Sequence, residues 1–250
     1  MAASTLMWST PFTGAATPSQ TWSEYFYPLK VGWTCHETLD SGGAVGTATL
    51  TVTAVGKIPD GHSVSVTQSG STAVGGTNVP TNSVLHYVLT KSGHLVSVPS
   101  AGEFAGQAYK IEGDTTLPSV SALLAGGSTT SELHISEPLS PSELSQVRAI
   151  LTPHATSLVM QVSLRERGQR VAVLQTPIGT FHDVLAVHAS LGAIHVTDAV
   201  KAASKTLTSE LQPVLGKELA NTTWYAPGFG PVRFDVGGIN ADMTSCGAAA

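Results

Sequence analysis

The sequence predicts a mainly β protein of the α+β class: an antiparallel, curved sheet or half-barrel built from successive hairpins, with one or two helices at about 140–151 and 198–217. Three observations point there. Only 12% of the 250 residues are charged, while Ser, Thr, Gly, Ala and Val abound. That mixture suits strands whose solvent faces are Ser and Thr rather than Lys and Glu. Apolar and polar residues alternate with period two in several runs joined by turn signals. Helical spacing with start signals is confined to two stretches. At this length the chain can bury a sizeable core. We read residues 1–22 as an extended or flexible arm and 23–250 as a single β-rich domain, with two similar halves joined near 113–140.

Each element follows in order. "GTATLTVTAVGK" places Ala48, Leu50, Val52 and Ala54 on one face and Thr47, Thr49, Thr51 and Thr53 on the other, a half-buried strand. "PDGHSVSVTQSG" turns at Asp60-Gly61 and alternates again through Val64 and Val66, a hairpin signal. In "SVLHYVLTKSGHLVSVP", Leu85, Tyr87 and Leu89 share a face, and Lys91-Ser92-Gly93 is the turn. "SLVMQVSLRERGQRVAVLQTP" puts Leu158, Met160, Val162 and Leu164 together and predicts a turn around Arg167-Gly168. Successive hairpins imply an antiparallel sheet rather than βαβ units.

A short helix at 119–124 is expected before the Gly126-Gly127 turn. "SPSELSQVRAIL" carries Ser140 as cap, Pro141 at the first helical position and Glu143 three residues after the cap, a capping box. "TDAVKAASKTLTSELQPVLGKEL" spaces Val200, Ala203, Leu207 and Leu211 helically after an Asp198 cap, and Pro213 should end or bend that helix. "VPSAGEF" and "TPIGTF" echo each other, so Phe104 and Phe181 should both enter the core just after a Gly.

The formal charge of −5 and the lack of a basic tract speak against a nucleic-acid partner. No run reaches the 18 apolar residues of a membrane span. The start lacks a basic region followed by an apolar core and reads as a mature exported N-terminus with a start Met attached. The protein is therefore expected to be secreted, extracellular or at the cell surface. Cys35 and Cys246 give no metal spacing. In an oxidising compartment the natural reading is one disulfide tying the tail to the first strand. The alternative is two free cysteines, one of them in a frayed tail.

Three segments together, "YFYPLKVGWTCHETL", "TPIGTFHDVLAVHA" and "TTWYAPGFGPVRF", resemble a large, poorly characterised group of secreted bacterial proteins and lipoproteins. That group shows Tyr-Phe-Pro-Leu-x-x-Gly…Trp near its start and Trp-Tyr-Ala-x-Gly-x-Gly-x-Val near its end. The resemblance covers residues 24–56 and 170–236. It implies a strongly curved antiparallel sheet outside the cytoplasm and no particular reaction.

In the closing motif, Pro227 and Gly228 make a turn, and Gly230 allows an unusual backbone angle or a close approach. Trp224 and Tyr225 are expected to fold inward and cap the sheet. The alternative makes them, with Trp33, a stacking platform for a ligand. Of nine histidines, His182, His188 and His195 lie in one stretch with Asp183 and Asp198. His182 and His188 are roughly 20 Å apart on a strand, too far to share a metal. No metal-binding motif occurs, so neither metal nor cofactor is expected. "GHSVS" lacks the final Gly and the strand–turn–helix setting of a nucleophile elbow. Glu132, Glu137, Glu143, Glu210 and Glu218 fall on loop or helix surfaces and do not pair as a glycosidase requires.

The sequence thus favours a secreted binding or structural protein with an apolar cavity or an interaction face. Its partner would be a small apolar ligand, a saccharide or another secreted or cell-surface protein. The alternatives are an extracellular hydrolase acting on an ester or polysaccharide, and an assembly subunit using its N-terminal arm.

Overall fold

Period-two alternation, with Thr and Ser on one side and Val and Leu on the other, makes each strand amphipathic, and hairpin turns stack such strands side by side. The computed structural model describes residues 20–41, 44–74, 77–98, 102–104, 107–197, 199–236 and 239–248. Its first half holds α1 (Trp22–Tyr25), β1 (Trp33–Ser41), β2 (Ala44–Ile58), β3 (Gly61–Val74), β4 (Thr77–Thr90) and β5 (Leu95–Val98). There follow β6 (Gly102–Phe104), β7 (Gln107–Glu112), β8 (Thr115–Leu117), α2 (Val120–Leu124), β9 (Ser128–Pro138) and α3 (Pro141–Val147). The chain ends with β10 (Ser157–Thr176), β11 (Gly179–Val196), α4 (Lys201–Glu218), β12 (Asn221–Ala226), β13 (Gly230–Val236) and β14 (Ile239–Ala248). Among the described residues these strands form one antiparallel sheet, not closed into a barrel, in the order β6-β7-β9-β10-β11-β12-β13-β14-β1-β2-β3-β4-β5-β8.

One buried cluster joins Leu117 of β8, at one end of that order, to Leu185 and Val187 of β11, near the other. The sheet must therefore curl around its inner face. That face is filled by the chain itself. Trp22, Tyr25, Phe26 and Tyr27 pack there with Val120 and Leu123 of α2. Farther along, Leu207, Leu211 and Leu215 of α4 cover Met160, Val162, Leu164, Ile194 and Val196 of β10 and β11.

Four expectations need correction. No turn occurs at Arg167-Gly168; β10 runs straight through to Thr176, and the hairpin turns at Pro177 and Ile178. Gly168 serves close packing instead, since a Cβ there would lie 2.4 Å from the Leu123 carbonyl oxygen. Pro213 does not end its helix: α4 continues to Glu218 with the proline exposed. That helix is capped by Val200, with no side-chain bond, and Asp198 lies outside the described residues. In β2 a bulge at Thr53 shifts the alternation, so Val55 rather than Ala54 meets the core.

Other expectations match. Ser119 caps α2 through the Ala122 N–H, and Ser140 with Glu143 forms the full capping box of α3. Phe181 is 8% exposed, while the side chain of Phe104 lies outside the described residues. No helix among the described residues is long and apolar enough to cross a membrane.

Candidate functional site

The inner face begins with the segment 22–29, which enters the curl as an aromatic plug. Strong polar anchors hold it. The Trp22 indole N–H donates to the Pro118 carbonyl at 2.8 Å, and the Tyr25 hydroxyl donates to the Asp183 carbonyl at 2.7 Å. The Gly228 amide, in the β12–β13 turn, donates to the Glu24 carbonyl at 2.6 Å. Gly230 follows with φ +93°, and a Cβ on it would stand 2.9 Å from the Tyr27 nitrogen. Only glycine combines that angle with that approach. The turn thus seats the plug, and Tyr225 meets Trp22 edge to face at 5.2 Å.

Two carboxyl groups are buried beside the plug. Glu37 accepts from the Gln68 amide at 3.1 Å, and Gln68 accepts in turn from the Ser83 hydroxyl at 3.3 Å. Burial raises the Glu37 pKa against the lowering effect of the Gln68 bond. Glu166 accepts from the Ser131 hydroxyl at 3.4 Å, and the Ser131 oxygen accepts from the Thr116 amide at 3.2 Å. Burial pushes Glu166 up to about 7, opposed by the Ser131 bond. Burial likewise pushes Tyr87 up to about 12 and raises Tyr27 and Tyr225, the last helped by Tyr87 and Glu166. Each carboxyl sits in its own network, so they do not form a paired acid and base.

The opposite side of β10 carries a different chemistry. Alternation buries Glu166 and Gly168 and exposes Arg165, Arg167 and Gln169. Arg165 faces Ser190 and Arg167 faces His188 across the β10–β11 ladder. With Arg170 and the turn after α2 these residues line a cleft of about 800 Å³. His188 is held at both ring nitrogens. Nδ1 meets the Thr222 hydroxyl at 2.9 Å, and Nε2 donates to the Gln169 carbonyl oxygen at 3.2 Å.

The residues singled out from sequence fall in separate places. Trp224 and Tyr225 occupy opposite faces, as neighbours on a strand do. Tyr225 packs on the plug, while Trp224 packs with Leu174, Phe181, Val184 and Val232 under the Arg233 guanidinium, 6.0 Å from the ring centroid. The inward pair expected from the turn chemistry is therefore split. Trp33 joins the plug cluster at the start of β1. Its indole N–H is buried with no hydrogen-bond partner among the described residues.

His182, His188 and His195 pair with Val173, Arg167 and Gln161 respectively along β11. The described residues contain no group of three or more His, Cys, Asp or Glu able to hold a metal ion. Ser63 of "GHSVS" lies within β3. Cys35 and Cys246 stand opposite each other on β1 and β14 and form the disulfide. Glu37, Glu166 and the arginine cleft were not singled out from the sequence. The signal was present in "SLRERGQR": Glu166 continues the apolar parity of Met160, Val162 and Leu164, and the arginines take the other.

No protein-family model and no curated protein matches the chain. Two solved structures resemble its fold. A protein classed as exported, with a YmcC-like fold, from Bacteroides fragilis aligns at TM-score 0.51 and 11% identity, over 90% of this chain and 99% of that one. A protein classed as a lipoprotein from Parabacteroides distasonis aligns at TM-score 0.52 and 14% identity, over the same shares.

Proposed function

We propose that the protein works outside the cytoplasm as a binding protein and meets its partner on the outer side and rim of its curved sheet. The observation that carries this reading is the plug: residues 22–29 occupy the inner face, where an apolar ligand would otherwise sit. An interaction face therefore fits the molecule better than an apolar cavity. The core disulfide supports an oxidising compartment, and the exported protein and the lipoprotein of the same fold support the same location.

Two measurements test the reading. Native protein should take up neither a fluorescent apolar dye nor a fatty acid, because the plug must leave first. Stoichiometric uptake of either would restore the cavity reading. Protein recovered from its own cells should fractionate outside the cytosol with no free thiols, and a cytosolic pool with two free thiols would refute the location.

A further inference from the structure

We propose that the cleft along β10 and β11 is an anion-binding site, built to clamp a ligand carrying two oxyanion groups, carboxylate or phosphate, on Arg165 and Arg167. This rests on the reading that the outer side of the sheet is the working surface.

Three observations carry it. First, three of the chain's 12 Lys and Arg residues lie between positions 165 and 170, in a protein of net charge −5. The whole-molecule field does not draw anions in, so the attraction is local. Second, the other guanidinium groups nearby or elsewhere on the sheet are occupied and these two are not. Arg170 pairs with Asp183 at 3.1 Å, and Arg233 pairs with Asp242 at 2.6 Å. Arg165 and Arg167 meet no carboxylate among the described residues. Third, the surroundings are fixed. Two positions along a strand set these side chains about 7 Å apart at their roots. The Gln169 carbonyl is taken by His188, which leaves its amide nitrogen as a further donor.

Paired guanidinium forks on a rigid strand match planar or tetrahedral oxyanions by two parallel N–H···O bonds each. The cleft lining contains no Phe, Tyr or Trp, and its one ring, His188, is bonded at both nitrogens to Thr222 and Gln169, which disfavours a single-stranded nucleic acid. Glu166, between the two arginines in sequence, faces the buried side and does not neutralise them as a cleft partner would.

The test is titration calorimetry of the full protein at low salt with two probes: tripolyphosphate for paired phosphates and adipate for paired carboxylates. At least one should bind saturably, and the tighter identifies the chemistry. The double variant Arg165→Gln/Arg167→Gln should weaken that binding by about tenfold or more, each charge-assisted bond contributing to the loss. Lys57→Gln, an exposed cation on another strand, should leave it unchanged. Added salt should weaken the wild type steeply and the double variant little. No saturable binding of either probe, or equal binding by the double variant, overturns the site. If the site fails while the apolar dye is still excluded, only this inference falls. Uptake of the dye would count against the outer-face reading itself.

Discussion

Gly228 and Gly230 share one turn and both have positive φ, +79° and +93°, yet they answer to different constraints. A Cβ on Gly228 would meet nothing within 4 Å, whereas one on Gly230 would press on the Tyr27 backbone. Gly228→Ala should therefore cost about 1 kcal/mol, from the backbone angle alone. Gly230→Val should cost well above that, because the plug must move as well. Chemical denaturation of the two variants checks this, and equal losses would mean that the plug does not rest on the turn. Glu166 makes a second residue-scale prediction. Its native carboxyl keeps its proton up to about pH 7, whereas an ordinary one releases it near 4.5. Between those values the native state holds more protons than the unfolded chain, so stability falls as pH rises through the window and levels off above it. The loss is at most about 3–4 kcal/mol at ~1.4 kcal/mol per pK unit. Glu37 is shifted in the same direction and adds to the slope. Urea unfolding at pH 5 and pH 8 should show Glu166→Gln with a flatter pH dependence and higher stability at pH 8. Parallel profiles for variant and wild type would refute the assignment.

At the scale of elements, α4 is an imperfect helix with a useful flaw. Pro213 sits inside it on the exposed side and removes one backbone donor. Packing of Leu207, Leu211, Leu215 and Leu219 on β10 and β11 outweighs that loss, which explains why the proline fails to stop the helix. Pro213→Ala should raise stability by about 1–3 kcal/mol by thermal unfolding, and a lower melting temperature would show that the proline is needed where it is. The same contest between local and tertiary terms decides what could be read from the sequence. Local rules located the Ser140 capping box, the Lys91-Gly93 turn and the faces carrying Leu50, Val64 and Leu164, because caps and alternation act over a few residues. The β2–β3 turn they missed by one residue, since it is Pro59-Asp60 and Gly61 already pairs with Ile58. They misread Gly168, whose reason is the Leu123 carbonyl more than 40 positions away in the chain. They placed Trp224 beside Tyr225, although alternation alone separates the two. The candidate site was less legible than the fold. The plug is recognisable only once Trp22 to Tyr27 meet strands from both ends of the sheet. Arg165 and Arg167 stand out only when the carboxylates that pair Arg170 and Arg233 are known.

At the scale of the whole molecule, the strand order divides into two runs. β1 to β5 with β8 form one, and β6, β7 and β9 to β14 the other, so among the described residues β14–β1 is the one strand ladder that joins the two runs. The second meeting place is a side-chain contact, the Thr116 amide on the Ser131 hydroxyl beside Glu166. The disulfide lies in that single ladder, with Cys35 directly opposite Cys246 and 211 positions between them. In the chain-entropy picture so long a loop stabilises by up to about 5 kcal/mol. The location adds a consequence that loop length alone does not give. Without the bond, the β14–β1 pairing is held by backbone hydrogen bonds and by Met243 and Cys35 against the plug, with no hairpin turn to keep its two strands together. Cys35→Ser/Cys246→Ser should therefore lose most of that 5 kcal/mol, and its amides in β1 and β14 should exchange hydrogen faster than those of β3 and β10. Hydrogen-exchange mass spectrometry of the variant reads both effects in one experiment. Uniformly faster exchange across all strands would mean that the bond acts only on the unfolded chain. A selective loss along β1 and β14 would mean that it also clasps the two runs of the sheet, because local opening follows the weakest joint in a structure.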